Sequence, residues 1–292
     1  MGLKILITGS SGMLGRDIHR KLLRHNIIYG VDIVSNPEIK DSNEFIGDLT
    51  DSRFLNHVLV SVSPQIIIHC AAIVNLKLCE ENRELTNALH LDATKQLVEY
   101  DSAKTIFIST DSIFNGERGG YKEEDIPSPL NYYGESKRLG EDIVRKNSNN
   151  LILRTNIFGF RVPLLGSIAE WAIKNISENQ SISGYTDIYF NGIYTKHLAE
   201  IINVLILSHI SGTYHVASVN NLSKYSFLKY LQTALAPGKN LVMPIKSSAI
   251  QMIPARPKIP TLSVKKVGAY VDLPTVEEGI DALINDYLQE IK

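Results

Sequence analysis

The chain has little of what would tie its function to an extracellular scaffold, a membrane or a nucleic acid. Only two of its 292 residues are cysteine, Cys70 and Cys79, too few for a disulfide framework. Cys70 ends a very apolar run and reads as a small buried residue rather than a nucleophile or ligand. No run of like charge stands out and the formal net charge is −1, so neither a nucleic acid nor an anionic membrane surface is called for as a partner. No stretch approaches the ~18 apolar residues of a membrane span. The chain opens on a strand-like segment, without a basic region followed by a long apolar one, so a reduced, cytoplasmic setting is the default expectation. The eight histidines show no ligand-like spacing, and no metal is expected.

What is present is an alternation. Hydrophobic residues make up 44% and charged residues 21%, and the length suggests about two domains at roughly 150 residues each. Leu3 to Thr8 reads as a buried strand, Met13 to His25 as an amphipathic helix and Ile27 to Ile33 as a second strand. Strand–turn–helix–strand is the βαβ unit. Further strands are expected at 44–46, 65–70, 105–109 and 151–154, with helices at 52–62, 84–100 and 133–146 between them. Runs this apolar suit strands covered on both faces, and the expected fold is α/β, a doubly wound, Rossmann-like parallel sheet. Beyond residue 158 the alternation loosens, with helices at 168–176, 195–207, 223–235 and 276–291, a strand at 213–217 and an extended segment at 237–261. A smaller α/β C-terminal substrate-binding cap is expected there. The division is residues 1–157 plus about 191–218 for the dinucleotide, and about 158–190 plus 219–292 for the cap.

Between the first strand and helix lies Gly9-Ser10-Ser11-Gly12-Met13-Leu14-Gly15. A helix start offers unpaired N–H groups and partial positive charge to a pyrophosphate, and glycines let the backbone approach it. The spacing is G-x-x-G-x-x-G rather than G-x-G-x-x-G. Gly9, Ser11, Gly12, Met13, Leu14 and Gly15 are therefore assigned to cofactor binding. Asp32, closing the second strand, suits a ribose diol and repels a 2′-phosphate, which tilts NAD or NADP toward NADH, with Arg16 able to offset the tilt. Asp48 either faces the adenine or caps the helix that follows.

Tyr133 and Lys137 lie four residues apart, on one helical face. A free phenol titrates near pH ~10, and a neighbouring ammonium is expected to bring it toward the working range. Tyr132 has Ser136 four residues on and gains no such charge. Ser109-Thr110-Asp111 ends a strand at the carboxyl edge of the sheet, where ligands bind in such folds. Thr110 is assigned the hydroxyl that polarises a substrate carbonyl, with turn capping as the alternative. Asp111 reads equally as a residue that orients it or as a turn residue.

With these residues in view, the chain resembles the extended short-chain dehydrogenase/reductases acting on nucleotide sugars, most closely the dTDP-4-dehydrorhamnose reductase group. The matching pieces include Thr8 to Gly15, Gly47-Asp48-Leu49-Thr50, His69-Cys70-Ala71-Ala72, Ile108 to Gly116, Glu123 to Lys137, Leu153-Arg154-Thr155 and Arg256-Pro257. The resemblance implies a Thr110/Tyr133/Lys137 triad, cofactor contacts at Leu49, Ala71 and Ala72, and reduction of a 4-keto group on a nucleoside-diphosphate deoxysugar with Tyr133 as proton donor. It also suggests Arg256 at the diphosphate, Asn156 and Asn191 either at sugar or base or in ordinary loop hydrogen bonds, and a homodimer. The chain departs from the group at His90, where Asn often precedes Thr94, at Ser112, where Tyr often follows Ser-Thr-Asp, and at Lys258 to Leu262, which lacks the usual Asn-Ser pair. Ser112 also argues against the related dehydratases, which carry Asp-Glu after the Thr. An epimerase with retained NAD, or a non-catalytic subunit like the regulatory subunit of methionine adenosyltransferase, are the competing readings.

Overall fold

The computed structural model describes residues 2–161, 163–164, 166–249 and 252–290. Seven parallel strands form its central sheet: β1 Lys4–Thr8, β2 Ile27–Asp32, β3 Glu44–Ile46, β4 Ile66–His69, β5 Lys104–Thr110, β6 Leu151–Thr155 and β7 Gly212–His215. Their order across the sheet is β3-β2-β1-β4-β5-β6-β7. Winding runs outward in both directions from β1 and β4, which opens a crevice at the carboxyl ends of those strands. The doubly wound, Rossmann-like sheet is as expected.

Helices cover both faces, so the middle strands have no polar face to offer. Ile66, Ile67 and Ile68 are all buried, each side chain contributing about 1.5–3 kcal/mol by leaving water. One core joins Ile5, Ile7, Ile68 and Ile106 to helices α1 (Met13–Leu22) and α8 (Thr195–Leu207). The opposite face packs Leu6, Val31 and Ile67 on α2 (Ser52–Val62) and α5 (Thr94–Glu99). A separate core gathers Phe158, Ile173, Phe190, Phe227, Leu231 and Ile280, from α7 (Ile168–Ser177), α9 (Lys224–Leu235), α10 (Val276–Glu290) and the short strands among them.

Three elements differ from the sequence reading. Helix α3 (Leu76–Glu81) was not expected; the Asn75 side chain starts it by accepting from the Leu78 N–H at 3.1 Å. The helix expected at 84–100 is α4 (Arg83–Asn87) and α5 joined by a π-helical turn, Ala88–Ala93. There the Thr94 hydroxyl donates to the His90 carbonyl at 2.8 Å, a side-chain bond that competes with the helical ladder. The stretch expected to be extended at 237–261 includes a strand, Val242–Ile245, paired in parallel with Ile182–Tyr185, and departs from the expectation in a short helical turn at Ser247–Ala249. The prolines lie mostly beyond it. The last helix was expected to reach Ile291, which lies outside the described residues.

Candidate active site

The phosphate loop is built by close approach. Gly9 has φ +69°, and a Cβ there would lie 2.8 Å from the Ala71 nitrogen. A Cβ at Gly15 would lie 2.2 Å from the Gly9 carbonyl oxygen. These glycines let α1 sit directly on the end of β1, and that explains the G-x-x-G-x-x-G spacing. Gly12 caps α1 without a side chain, and its first turn carries no acidic residue, so the N–H groups there are left for an anion. Residues and loop thus fit a dinucleotide's pyrophosphate.

Asp32 reaches into the same loop. Its carboxylate accepts from the Ser11 N–H at 2.9 Å and the Ile33 N–H at 2.7 Å. Arg20 is bound bidentately by Glu38, at 2.6 and 2.7 Å. Arg16 lies in a small cleft with Arg161, Lys196 and Asp286. Asp48 accepts from the Thr50 N–H at 2.9 Å and is exposed, while the cap of α2 is Asp51. Leu49 is buried, and the Ala71 N–H donates to the Thr8 hydroxyl at 3.3 Å. Cys70 is held as a thiol, pushed up to about 12 by burial.

Helix α6 (Tyr132–Val144) begins at Asn131, whose side chain accepts from the Gly134 N–H at 3.0 Å. Tyr133 and Lys137 project from its first two turns. Burial pushes the phenol up to about 12; the Thr110 hydroxyl opposes this, while Asp111 and Cys79 add to it. Burial also brings Lys137 down to about 7, against the pull of Glu141, and its ammonium lies 3.9 Å from the centre of the Phe107 ring. The expected lowering of the phenol by Lys137 is therefore not what governs this site. Desolvation of the phenolate outweighs it, and the phenol keeps its proton at neutral pH.

Of the two roles weighed for Thr110, the turn cap is present. It caps the turn that follows β5 by accepting from the Ser112 N–H at 3.1 Å, and it donates to Asp111 at 3.2 Å. Asp111 also accepts from Asn156 at 2.5 Å and from Ser112 at 3.3 Å, so it orients Thr110 in addition to forming the turn. Burial raises its carboxyl, opposed first by the Asn156 bond.

A buried network behind this edge went unread in the sequence. The Ile73 N–H donates to His90 Nε2 at 2.8 Å, so Nδ1 carries the proton and donates to Ser136 Oγ at 2.8 Å. Ser136 in turn donates to the Tyr133 carbonyl at 2.9 Å. Because Thr94 donates to the His90 carbonyl, it accepts from His69 Nε2 at 3.0 Å, and His69 Nδ1 accepts from Thr8 at 2.6 Å. Both imidazoles are neutral: burial, then the charge of Lys137, brings His90 down to about 3 and His69 well below its ordinary value. Beyond Lys137, Glu141 accepts from Ser109 at 2.6 Å and from the buried Arg154 at 2.8 Å.

Next to Asp111 a cavity of about 720 Å³ opens toward α7 and α9. Trp171, Tyr185, Tyr189 and Ile188 give it an apolar wall; Asn156 and Arg256 line it as well. Arg256 is held there because the Asn131 side chain donates to the Ala255 carbonyl at 2.9 Å. Asn191 is not brought to the cavity. Its amide donates to the Ser218 and Leu262 carbonyls at 3.2 and 2.8 Å and accepts from the Leu262 N–H at 3.0 Å, which uses it fully as a loop tie. Lys224, unnoticed in the sequence, lines the same cavity.

The family model described as the RmlD substrate binding domain matches residues 3–289. The chain belongs to that family. A dTDP-4-dehydrorhamnose reductase from Bacillus anthracis in complex with NADP is similar in structure, with a TM-score of 0.86 at 28% identity over 98% of this chain and 100% of that one. A probable low-salt glycan biosynthesis reductase of Haloferax volcanii is 28% identical over 95% of this chain and 96% of its own length. The methionine adenosyltransferase 2 subunit beta of Pongo abelii is 27% identical over 85% of this chain and 76% of its own. Family and fold are thus those the motifs indicated. Among the described residues no helix is long and apolar enough to cross a membrane.

Proposed function

We propose that the protein is a nicotinamide-dependent oxidoreductase that reduces a 4-keto group on a nucleoside-diphosphate deoxysugar, taking NADH in preference to NADPH. The observation that carries this reading is the hydrogen bond between Thr110 and Tyr133, with Lys137 one helical turn on, beside an Asp111 that lines a 720 Å³ cavity with aromatic walls. In it, residues 1–157 with about 191–218 hold the dinucleotide, and about 158–190 with 219–292 hold the sugar nucleotide. The loop from Gly9 to Gly15 takes the pyrophosphate, Asp32 the adenine ribose and Lys137 the nicotinamide ribose. The bound dihydronicotinamide supplies a hydride to the keto carbon. Thr110 orients the keto oxygen, and Tyr133 gives that oxygen the proton it holds. Asp32, with Arg20 already taken by Glu38, supports NADH, since a 2′-phosphate would meet a carboxylate; Arg16 is the cation that could offset it.

The sequence relation to methionine adenosyltransferase 2 subunit beta supports a second reading, a binding subunit without turnover. Stereospecifically deuterated NADH and a panel of dTDP- and UDP-4-keto-6-deoxysugars separate the readings. The reductase transfers the label to C4 of the product with stoichiometric cofactor oxidation. An epimerase turns over without net oxidation, and a binding subunit gives neither.

A further inference from the structure

The cavity carries three charged residues among those described: Asp111, Lys224 and Arg256. Asp111 is already supplied with neutral donors from Asn156, Thr110 and Ser112. Of the two cations, Arg256 is exposed to solvent and Lys224 is the partly buried one. Lys224 opens α9; its backbone N–H donates to the Ile188 carbonyl at 2.8 Å, and its ammonium lies 3.2 Å from the centre of the buried Phe190 ring. Among the described residues, no carboxylate within 4.0 Å and no hydrogen-bond acceptor takes its protons. Burial brings Lys224 down to about 8; the charge of Asp111 opposes this, and the repulsion of Arg256 adds to it.

An ammonium kept in such a place at a cost in hydration is relieved by an anion. Two neighbouring cations against one carboxylate already held by neutral donors suit a ligand with two adjacent negative charges. A monoester phosphate engages one cation well, and an uncharged ligand engages neither. Aromatic walls at Trp171 and Tyr185 flank the pair, so a planar base has a place to rest beside the charges.

We propose that Lys224 acts with Arg256 as a two-cation clamp on the vicinal phosphates of a nucleoside diphosphate, making the cavity select diphosphates over monophosphates. The proposal rests on the sugar-nucleotide reading of the site, but it is separable from that reading by experiment. Trp171, the only tryptophan of the chain, lines the cavity and reports occupancy by fluorescence. The full chain is titrated with thymidine, dTMP and dTDP, each with and without NADH.

The clamp requires dTDP to bind about tenfold or more tighter than dTMP, from one further charge-assisted contact. Lys224→Met should bring that ratio to within about threefold, leaving dTMP binding nearly unchanged. Lys224→Arg should retain the preference. Equal unfolding midpoints and equal NADH affinity check that the variants are folded. A dTDP preference that survives Lys224→Met overturns the proposal, as does absence of any nucleotide binding. A preference lost in Lys224→Met, in a protein that oxidises no NADH with any 4-keto sugar nucleotide, upholds the clamp and removes the reductase instead.

Discussion

Glu141 is the buried charge on which both α6 and the end of β5 depend. It sits on α6 one turn beyond Lys137, fully buried, and takes bonds from Arg154 at 2.8 and 3.0 Å, from Ser109 at 2.6 Å and from Arg145 at 2.5 Å. Arg154 is 1% exposed, and its remaining protons go to the Glu123 carbonyl at 3.1 Å and His215 at 3.2 Å. Glu141→Gln keeps the shape and removes the charge, leaving a buried guanidinium without a counter-ion. That costs about 3–5 kcal/mol, and the double change Glu141→Leu with Arg154→Met should recover most of it because neither charge remains. Urea unfolding followed by circular dichroism measures both, with unchanged slope confirming an unaltered unfolded state. Acid supplies a second signature. Burial raises the Glu141 carboxyl, but Arg154, Ser109 and Arg145 together outweigh it and hold the group below its ordinary 4.5, so the contribution is complete above that pH and disappears as pH falls through the lower folded value. The Gln variant should lack this loss. A Gln variant within about 1 kcal/mol of the parent, or a double variant as unstable as the single, would refute the reasoning.

His90→Phe should lower kcat with little change in KM for the sugar nucleotide, because it unties Tyr133 from the 71–73 segment. His90→Asn should restore part of the loss, since an amide also offers one acceptor and one donor. With both imidazoles neutral, kcat between pH 5 and 9 should show no inflection from either, and one that disappears in His90→Asn would contradict the assignment. Gly15→Ala forces a methyl against the Gly9 carbonyl and should abolish NADH binding measured by fluorescence while costing about 1–3 kcal/mol of stability. Asp32→Ala should narrow the NADH preference over NADPH; a parent protein that favours NADPH in kcat/KM would overturn the reading of Asp32.

The parts of the site legible in the sequence were those fixed by backbone. Glycine spacing encodes how closely α1 meets β1, and unbroken isoleucine in β4 encodes a strand covered on both faces. Tyr133 and Lys137 follow from helical periodicity once α6 is placed. What stayed hidden depends on contacts between distant segments. His90 stood out only as a departure from its family, and its purpose needs Ile73 and Ser136 beside it. Lys224 looks like any first-turn helical lysine until the cap folds it against Phe190 and Asp111. Asn191 stayed open between two readings because a loop asparagine that ties two backbones has the same sequence signature as one that meets a ligand, and the fold takes the loop tie. The ionisation of Tyr133 was misjudged for a related reason: spacing reveals the nearby ammonium but not the loss of water around the phenol.

The central claim is that Tyr133 donates the proton that accompanies hydride transfer. Single-turnover NADH oxidation with a dTDP-4-keto-6-deoxysugar, compared between the parent and Tyr133→Phe, tests it most directly. A fall of about 10²–10⁴-fold with unchanged NADH binding is predicted. Oxidation at the parental rate in the Phe variant would contradict it.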